Sequence, residues 1–92
     1  MELAAFQRLI RDTYGERDRA RGVEGTWMWF TEEVGELSRA IRRGDRDNQV
    51  EEFSDVLAWL VSVADQLGID MVDAANRYAD GCPKCHTRPC SC

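Results

Sequence analysis

The chain has 92 residues, the size of one small domain, so we expect a single hydrophobic core and one main functional site. It carries 17 acidic residues against 12 basic ones, and the formal net charge of −5 argues against a partner that is a nucleic-acid polymer. No apolar run approaches the length that a bilayer requires, so we expect no insertion into a membrane. The first ten residues lack the apolar stretch of a secretory signal, which favours a cytoplasmic protein.

The spacing of apolar residues predicts an all-α body, because no segment before the C-terminal tail alternates like a strand. A first helix is expected over residues 3–14, with Gly15 as its terminator. The charged stretch that follows, which contains Gly22 and Gly25, is expected to be a solvated loop or a frayed helix end. An arginine-rich part of this loop, residues 17–21, either solubilises the chain or acts as a mobile phosphate clamp.

Two longer helices with apolar stripes are expected next. The second should cover residues 26–43 and stop at Gly44, and the third should carry the longest stripe, from Val50 to Leu67. Asp70 can cap a short fourth helix, and Gly81 would end the body. We therefore predict a small antiparallel helical bundle over residues 1–81 and a separate tail over 82–92.

Pairs of acidic residues lie beside both stripes. Glu33 and Glu36 are three residues apart on the second helix, and Glu52 and Asp55 repeat this spacing on the third. At about 100° per residue, both pairs fall on the flank of the stripe. If the helices pack antiparallel through their stripes, the two pairs converge on one small volume. Four carboxylates would repel one another without cations, and oxygen ligands of this kind select magnesium or manganese.

Two simpler interpretations of the acids remain open. Acids three residues apart are common on solvated helix surfaces, and three nearby basic residues offer ion pairs: Arg39, Arg42 and Arg43. Neither interpretation explains why the same spacing recurs on the same flank of two consecutive helices.

The sequence EEVGEL at 32–37, followed by EEFSDVL at 51–57, resembles the signature of MazG-type nucleotide pyrophosphohydrolases. The similarity extends through LGID at 67–70 and the short last helix, and leaves out the cysteine tail. It implies an all-α enzyme, a homodimer or homotetramer, whose motif acids bind magnesium. These acids are Glu33, Glu36, Glu52 and Asp55, with Glu32, the first acid of the motif, as a less well aimed catalytic candidate.

An enzyme of this family hydrolyses a nucleoside triphosphate to a nucleoside monophosphate and pyrophosphate. Bound cations activate the attacking water and neutralise the phosphate oxygens, so no nucleophilic side chain is required. The chain agrees, because it has no Walker lysine motif and no glycine-rich phosphate loop. The alternatives are a non-catalytic helical interaction module with a zinc-stabilised tail and a bare oligomerisation domain.

Two tryptophans share the flanks that carry the acids. Trp29 lies beside the first acid pair and Trp59 beside the second, where either ring could stack on a nucleobase or pack in a subunit interface. Trp27 is expected in the core. Asn76, on the last helix, resembles a polar position that approaches the substrate in this family.

All four cysteines lie in the tail, whose sequence is CPKCHTRPCSC. A CxxC followed by a CxC resembles a zinc knuckle, in which Cys82, Cys85, Cys90 and Cys92 surround one tetrahedral ion. His86 is a spare candidate ligand, and free or redox-active thiols or a disulfide are the alternatives. Zinc closed in by four thiolates has no open position for water, so we expect it to be structural.

Overall fold

The computed structural model describes residues 1–92 and is built from helices without a strand, which confirms the all-α prediction. Two long helices form a central pair, a third long helix packs across them, and a short one precedes the tail. In chain order they are α1 (Leu3–Arg21), α2 (Val23–Arg43), α3 (Arg46–Gln66) and α4 (Met71–Asn76).

The first helix is longer than predicted. It runs to Arg21, so Gly15 lies inside it, and the predicted charged loop is mostly helical. The helix ends only at Gly22, whose φ of 87° lies in the left-handed region that favours glycine. The prediction was wrong because this charged segment is not fully solvated: Asp18 is buried and its carboxylate accepts a hydrogen bond from Arg21 at 2.8 Å.

The turn between α2 and α3 follows the predicted chemistry. Gly44 ends α2 in a left-handed conformation, and its N–H donates to the carbonyl of Ala40. The Asp45 side chain then caps α3 by accepting the N–H of Asn48 at 3.2 Å. With only two residues between them, the helices must reverse direction, which gives the antiparallel pair that the sequence predicts.

Side-chain contacts between α2 and α3 run in reverse order along the two helices. Near the turn, Gln49 Nε2 donates to the Ala40 carbonyl at 3.3 Å. At the far end, Gln66 Nε2 donates to the Thr26 hydroxyl at 2.6 Å. The residues midway between these two contacts therefore face one another across the pair, and they include the predicted acids.

The prediction that α2 and α3 pack through their apolar stripes is wrong. Val34, Ile41, Phe53 and Leu57 belong to the stripes, and each is between 41 and 56% exposed. The helices meet along the flank instead, where small residues such as Ala40 are fully buried and let the backbones approach. Spacing indicates which side of a helix is apolar, but it does not say what covers that side.

Trp27, which belongs to the α2 stripe, also lies at the surface. It is 48% exposed and stacks on Phe30, with ring centroids 5.1 Å apart, so its assignment to the core is also wrong. Only ten of the 92 residues are buried, fewer than a chain with 43% hydrophobic residues would bury around a full core of its own.

Helix α1 is fastened to the end of α3 by polar contacts. The buried Gln7 donates to Asp65 and to the Ile69 carbonyl, at 3.2 and 3.0 Å, and accepts the Met71 N–H at 2.8 Å. Arg11 pairs with the same Asp65 carboxylate at 2.6 Å. This hydrogen-bonded ion pair lowers the pKa of Asp65, and the bond from Gln7 adds to the effect.

The fourth helix begins where the sequence predicts. The Asp70 side chain accepts the Val72 N–H at 2.9 Å and caps its first turn. The helix lasts six residues, to Asn76, and turns then lead into the tail. No helix in the chain has both the length and the apolarity needed to span a bilayer.

Candidate functional site

Three of the predicted acids meet on the seam between α2 and α3. Glu33 comes from the middle of α2, and Glu52 and Asp55 come from the first half of α3, which the antiparallel register places opposite it. One carboxylate oxygen from each lies within 4.8 Å of the others, and all three residues are half-buried. The flank that carries the acids is therefore the contact surface of the helix pair.

The carboxylates of this cluster repel one another. Burial, and then the charges of Asp55, Glu52 and Glu36, raise the pKa of Glu33. Glu52 Oε2 is buried and has no hydrogen-bond partner. A buried carboxylate oxygen without a partner is costly, and a cation bound among these carboxylates would satisfy it. Three carboxylates at this separation form a suitable donor set for a hard divalent ion.

The structure does not bring the other two predicted acids into this cluster. Glu36 is 48% exposed and forms an ion pair with Arg39. Its charge still contributes to the raised pKa of Glu33, one turn away on the same helix. Glu32 is exposed. Ion pairing with a nearby arginine, the simpler interpretation of the acids, therefore applies to Glu36 and not to the three acids on the seam.

The two tryptophans beside the acids stack on each other. The rings of Trp29 and Trp59 are 5.9 Å apart between centroids and inclined by 16°. Trp29 is four residues before Glu33 and Trp59 four residues after Asp55, so the stack lies one helical turn from the carboxylates. Both rings are thus near the candidate metal site, on the side away from the α2–α3 turn.

Arg21, the last residue of the arginine-rich segment 17–21, extends this stack, a contact that the sequence did not predict. The Arg21 guanidinium lies 4.9 Å from the centroid of the Trp59 ring, a cation–π contact. Asp18 holds the guanidinium at 2.8 Å, and the same nitrogen donates to the buried Thr26 hydroxyl at 3.3 Å. A Cβ at Gly25 would come within 2.6 Å of Arg21 Cγ, so this glycine leaves room for the arginine side chain. The spacing of Asp18 and Arg21, three residues apart, was the available signal.

Asn76, the third predicted substrate contact, lies elsewhere. It is exposed at the end of α4, and α4 packs chiefly against α1 rather than against the α2–α3 pair. The structure does not bring Asn76 to the carboxylate cluster.

The four cysteines of the tail form a second cluster. Their Sγ atoms all lie within 4.8 Å of one another, so this group could hold a metal ion. His86 is not a member of the group. The closest sulfur pairs are Cys90 with Cys92 at 3.3 Å, Cys82 with Cys92 at 3.8 Å and Cys85 with Cys90 at 3.9 Å.

Polar neighbours act on the thiol of Cys85. The Thr87 hydroxyl lies 3.0 Å from its Sγ, and the Ser91 N–H donates to it at 3.4 Å. These hydrogen bonds, with that of Thr87 the largest cause, lower the pKa of Cys85 to about 5. The thiolate, which is the form that binds metals, is therefore favoured at neutral pH.

The model of the MazG nucleotide pyrophosphohydrolase domain matches residues 21–89, about three quarters of the chain. The match covers both acid motifs and the helices that carry them. It starts at the last residue of α1 and runs into the cysteine tail, further than the motifs themselves indicated. No curated protein matches the chain. With its all-helical fold and its carboxylates on the α2–α3 seam, the chain belongs to the MazG nucleotide pyrophosphohydrolase family.

Proposed function

We propose that the protein hydrolyses a nucleoside triphosphate to a nucleoside monophosphate and pyrophosphate, with magnesium or manganese held by Glu33, Glu52 and Asp55. The observation that carries the proposal is Glu52 Oε2, which is buried among carboxylates without a partner. A hard cation fits this donor set because it satisfies that oxygen and removes the repulsion that raises the pKa of Glu33.

Glu36 remains a candidate ligand that would join when the metal binds. It lies one turn from Glu33, and its ion pair with Arg39 is exposed to solvent. Exposed pairs of this kind contribute little to stability, so Arg39 can be released at little cost. Glu32 would act from outside the cluster, as an acid of the motif that does not contact the metal.

In this reaction water attacks the α-phosphorus, and the bond to the bridging oxygen between the α- and β-phosphorus atoms breaks. When bound, the metal ion supplies activation of the water and neutralisation of the phosphate charge. The residues of the chain would hold and orient the metal ion. The three carboxylates would fix its position on the seam, and their half-buried setting excludes part of the solvent. The three members of the cluster are all carboxylates, which suit metal binding, so direct attack by water is the mechanism that they support.

The tryptophan stack limits where a nucleobase can bind. The Trp59 ring already contacts two groups, the Arg21 guanidinium and the Trp29 ring. A base inserted between the rings would need a separation of about 7 Å, two van der Waals contacts, and the centroids are only 5.9 Å apart. Trp29 is 48% exposed, so part of its surface is accessible to a ligand. We therefore propose Trp29 as the platform for the base and Trp59, backed by Arg21, as its support.

A second copy of the chain is the partner that we propose for the exposed stripes. Both stripes lie on the same side of the α2–α3 pair, by helical-wheel geometry, and so form one apolar face. The chain exposes 6749 Å², against about 5,400 Å² for a compact monomer of this mass. A homodimer or homotetramer, as the family resemblance implies, would cover this face.

The direct test is a panel of nucleoside triphosphates incubated with magnesium or manganese, with monophosphate and pyrophosphate as the measured products. We expect at least one substrate to give both products in equal amounts, without orthophosphate as a primary product. A folded protein that releases no pyrophosphate from any member of the panel would contradict the proposal. It would favour a non-catalytic interaction module instead.

The tail takes no part in this chemistry. Its sulfur atoms prefer a softer metal than the carboxylates do, and zinc is the ion that we propose for them. Zinc bound by four thiolates has no open coordination position, so its role would be structural.

A further inference from the structure

We propose that Cys82, Cys85, Cys90 and Cys92 form a closed zinc site that folds the C-terminal tail as a unit independent of the carboxylate site. The proposed pyrophosphohydrolase reaction does not use this part of the chain. The arrangement of the sulfur atoms, and the hydrogen bonds that shape the tail around them, favour a metal site.

The sulfur atoms are spaced as the ligands of one tetrahedral ion. A Zn–S distance of about 2.3 Å gives a tetrahedron with edges of about 3.8 Å. Three of the pairs are 3.3, 3.8 and 3.9 Å apart, and no pair exceeds 4.8 Å. The four thiols therefore need only small shifts to bind one ion together.

The same spacing argues against two disulfides. All four cysteines are free thiols in this structure, and the pair of Cys90 and Cys92, at 3.3 Å, lies beyond the disulfide bond length of about 2.05 Å. In addition, Cys92 lies near both Cys90 and Cys82, so the sulfurs share neighbours rather than forming two separate pairs.

The backbone of the tail closes a loop that presents the first two thiols. The Cys82 carbonyl accepts the His86 N–H at 2.7 Å, and the Cys82 N–H donates to the Thr87 carbonyl at 3.1 Å. Gly81 lies directly before this loop, where an added Cβ would come within 2.7 Å of the Thr87 carbonyl oxygen. The glycine therefore allows the close approach that shuts the loop.

Groups around the thiols complete the site. The Thr87 hydroxyl and the Ser91 N–H both lie within hydrogen-bonding distance of Cys85 Sγ. The side-chain hydroxyls of Thr87 and Ser91 are 3.0 Å apart. Donors of this kind orient a metal-binding thiolate and disperse its charge. The CxC spacing thus has support from the residue between its cysteines, Ser91, which links the second half of the tail to the first.

No hydrogen bond joins the tail to the helical pair that carries the acids. Its hydrogen bonds join residues of the tail to one another, and the turns after α4 connect it to the body. The carboxylates lie on the α2–α3 seam. Zinc binding should therefore fix residues 82–92 and leave the carboxylate site unchanged.

The first experiment measures metal content in the full chain purified without chelator. We expect one zinc per chain by elemental analysis, and after exchange for Co²⁺ the sulfur-to-cobalt charge-transfer absorption of a tetrahedral thiolate site. Cys85→Ser should lose the zinc. His86→Asn should retain it, and asparagine suits this test because it tolerates the left-handed φ of 58° at this position.

Two results would overturn the four-cysteine site. One is protein that contains no zinc and whose four thiols all react with a thiol reagent, to the same extent before and after addition of Zn²⁺. The other is loss of the metal in His86→Asn with full retention in Cys85→Ser, which would assign the ion to other ligands.

The second experiment tests independence from the body, by NMR with a zinc-selective chelator in excess Mg²⁺. We expect the amide resonances of residues 82–92 to collapse to random-coil positions, and the indole resonances of Trp29 and Trp59 to stay in place. Loss of the helical signals on chelation would show that the zinc supports the whole fold and would overturn a separate unit.

Discussion

At the residue scale, the carboxylate cluster lowers the stability of the metal-free chain. Glu33 has a raised pKa and Glu52 Oε2 has no partner, although both lie on the seam that joins α2 to α3. A seam built only for packing would place apolar side chains at these positions. The cluster is therefore the part of the chain where substitution should separate activity from stability.

Asp55→Asn should lower turnover by at least about 100-fold, because even the outer partners of metal ligands typically cost 10- to 100-fold. In the absence of divalent ions, its melting temperature should equal or exceed that of the wild type, since the change removes one repelling charge. Steady-state kinetics and thermal melts measure the two effects. Glu51→Gln is the matched control, because Glu51 is exposed on the same helix and should keep full activity.

Trp29→Ala should raise KM by about 10-fold or more with a smaller change in kcat, because stacking on an aromatic ring contributes about 1–3 kcal/mol per base. Trp29→Phe keeps a stacking surface and should recover most of the affinity. Equal KM values in the wild type and the alanine variant would show that the base binds elsewhere. Nucleotide binding, followed by quenching of tryptophan fluorescence, gives a second measure that does not depend on turnover.

The site was partly predictable at this scale. Spacing placed Glu33, Glu52 and Asp55 on one flank of their helices, and the antiparallel register of the α2–α3 pair brings them together. The contact between Arg21 and Trp59 was not predicted, since the two residues are distant in the sequence and only the fold brings them together. Glu36 shares the spacing of the other acids but forms an ion pair with Arg39. Spacing alone does not decide whether an acid joins the carboxylate cluster or pairs with an arginine.

At the scale of elements, α1 is held to the end of α3 by charge as well as by packing. The ion pair of Arg11 with Asp65 and the hydrogen bond from Gln7 stabilise the ionised form of the carboxyl. The folded-state pKa of Asp65 lies below its ordinary value of 3.8. The contribution of this carboxylate to the free energy of unfolding is therefore fully present above pH 3.8. It is lost as the pH falls through the lowered folded-state value.

We therefore expect wild type and Asp65→Asn to differ in free energy of unfolding near pH 6 and to converge in strong acid. Urea unfolding at a series of pH values measures the difference. The comparison must use the difference curve, because Glu33, with a raised pKa, changes stability in the opposite direction in both proteins. A difference that stays constant down to the lowest pH would contradict the role given to this carboxylate.

Helix limits were predicted best where a cap specifies them. Gly44, Asp45 and Asp70 mark real ends because their backbone or side chains satisfy the free groups of a helix terminus. Gly15 does not, since a helix interior tolerates a glycine at a cost of only about 1 kcal/mol and α1 recovers this by packing. The charged segment after it was assigned to solvent on composition alone, which carries no information about tertiary contacts.

At the scale of the whole molecule, the single chain is extended. Its radius of gyration is 15.2 Å, against about 12.3 Å for a compact domain of this length. The apolar stripes were correctly located in the sequence, but the same pattern serves a core or an interface equally well. The stripes lie outside because the acid-bearing flank occupies the contact between α2 and α3.

Phe53→Glu should convert an oligomer into a monomer of 10.5 kDa, because it places a charge in the centre of the exposed apolar face. Sedimentation or light scattering gives the mass directly. Leu9→Glu is the control, since Leu9 is similarly exposed on α1, away from the stripes, and its substitution should leave the mass unchanged. Wild-type protein with the mass of one chain at micromolar concentration would contradict the oligomer.

The joint between α1 and α2 contains two glycines that are required for opposite reasons. Gly22 has open space around a would-be Cβ but a φ of 87°, whereas Gly25 has helical backbone angles but no space beside Arg21. An L-amino acid is therefore unfavourable at both positions. A D-alanine introduced by chemical synthesis would separate the two requirements, because a mirror-image residue prefers positive φ. It would be accepted by the backbone at position 22, where the torsion angle is the obstacle, and would bring no benefit at position 25, where the backbone is already helical and the obstacle is the Arg21 side chain.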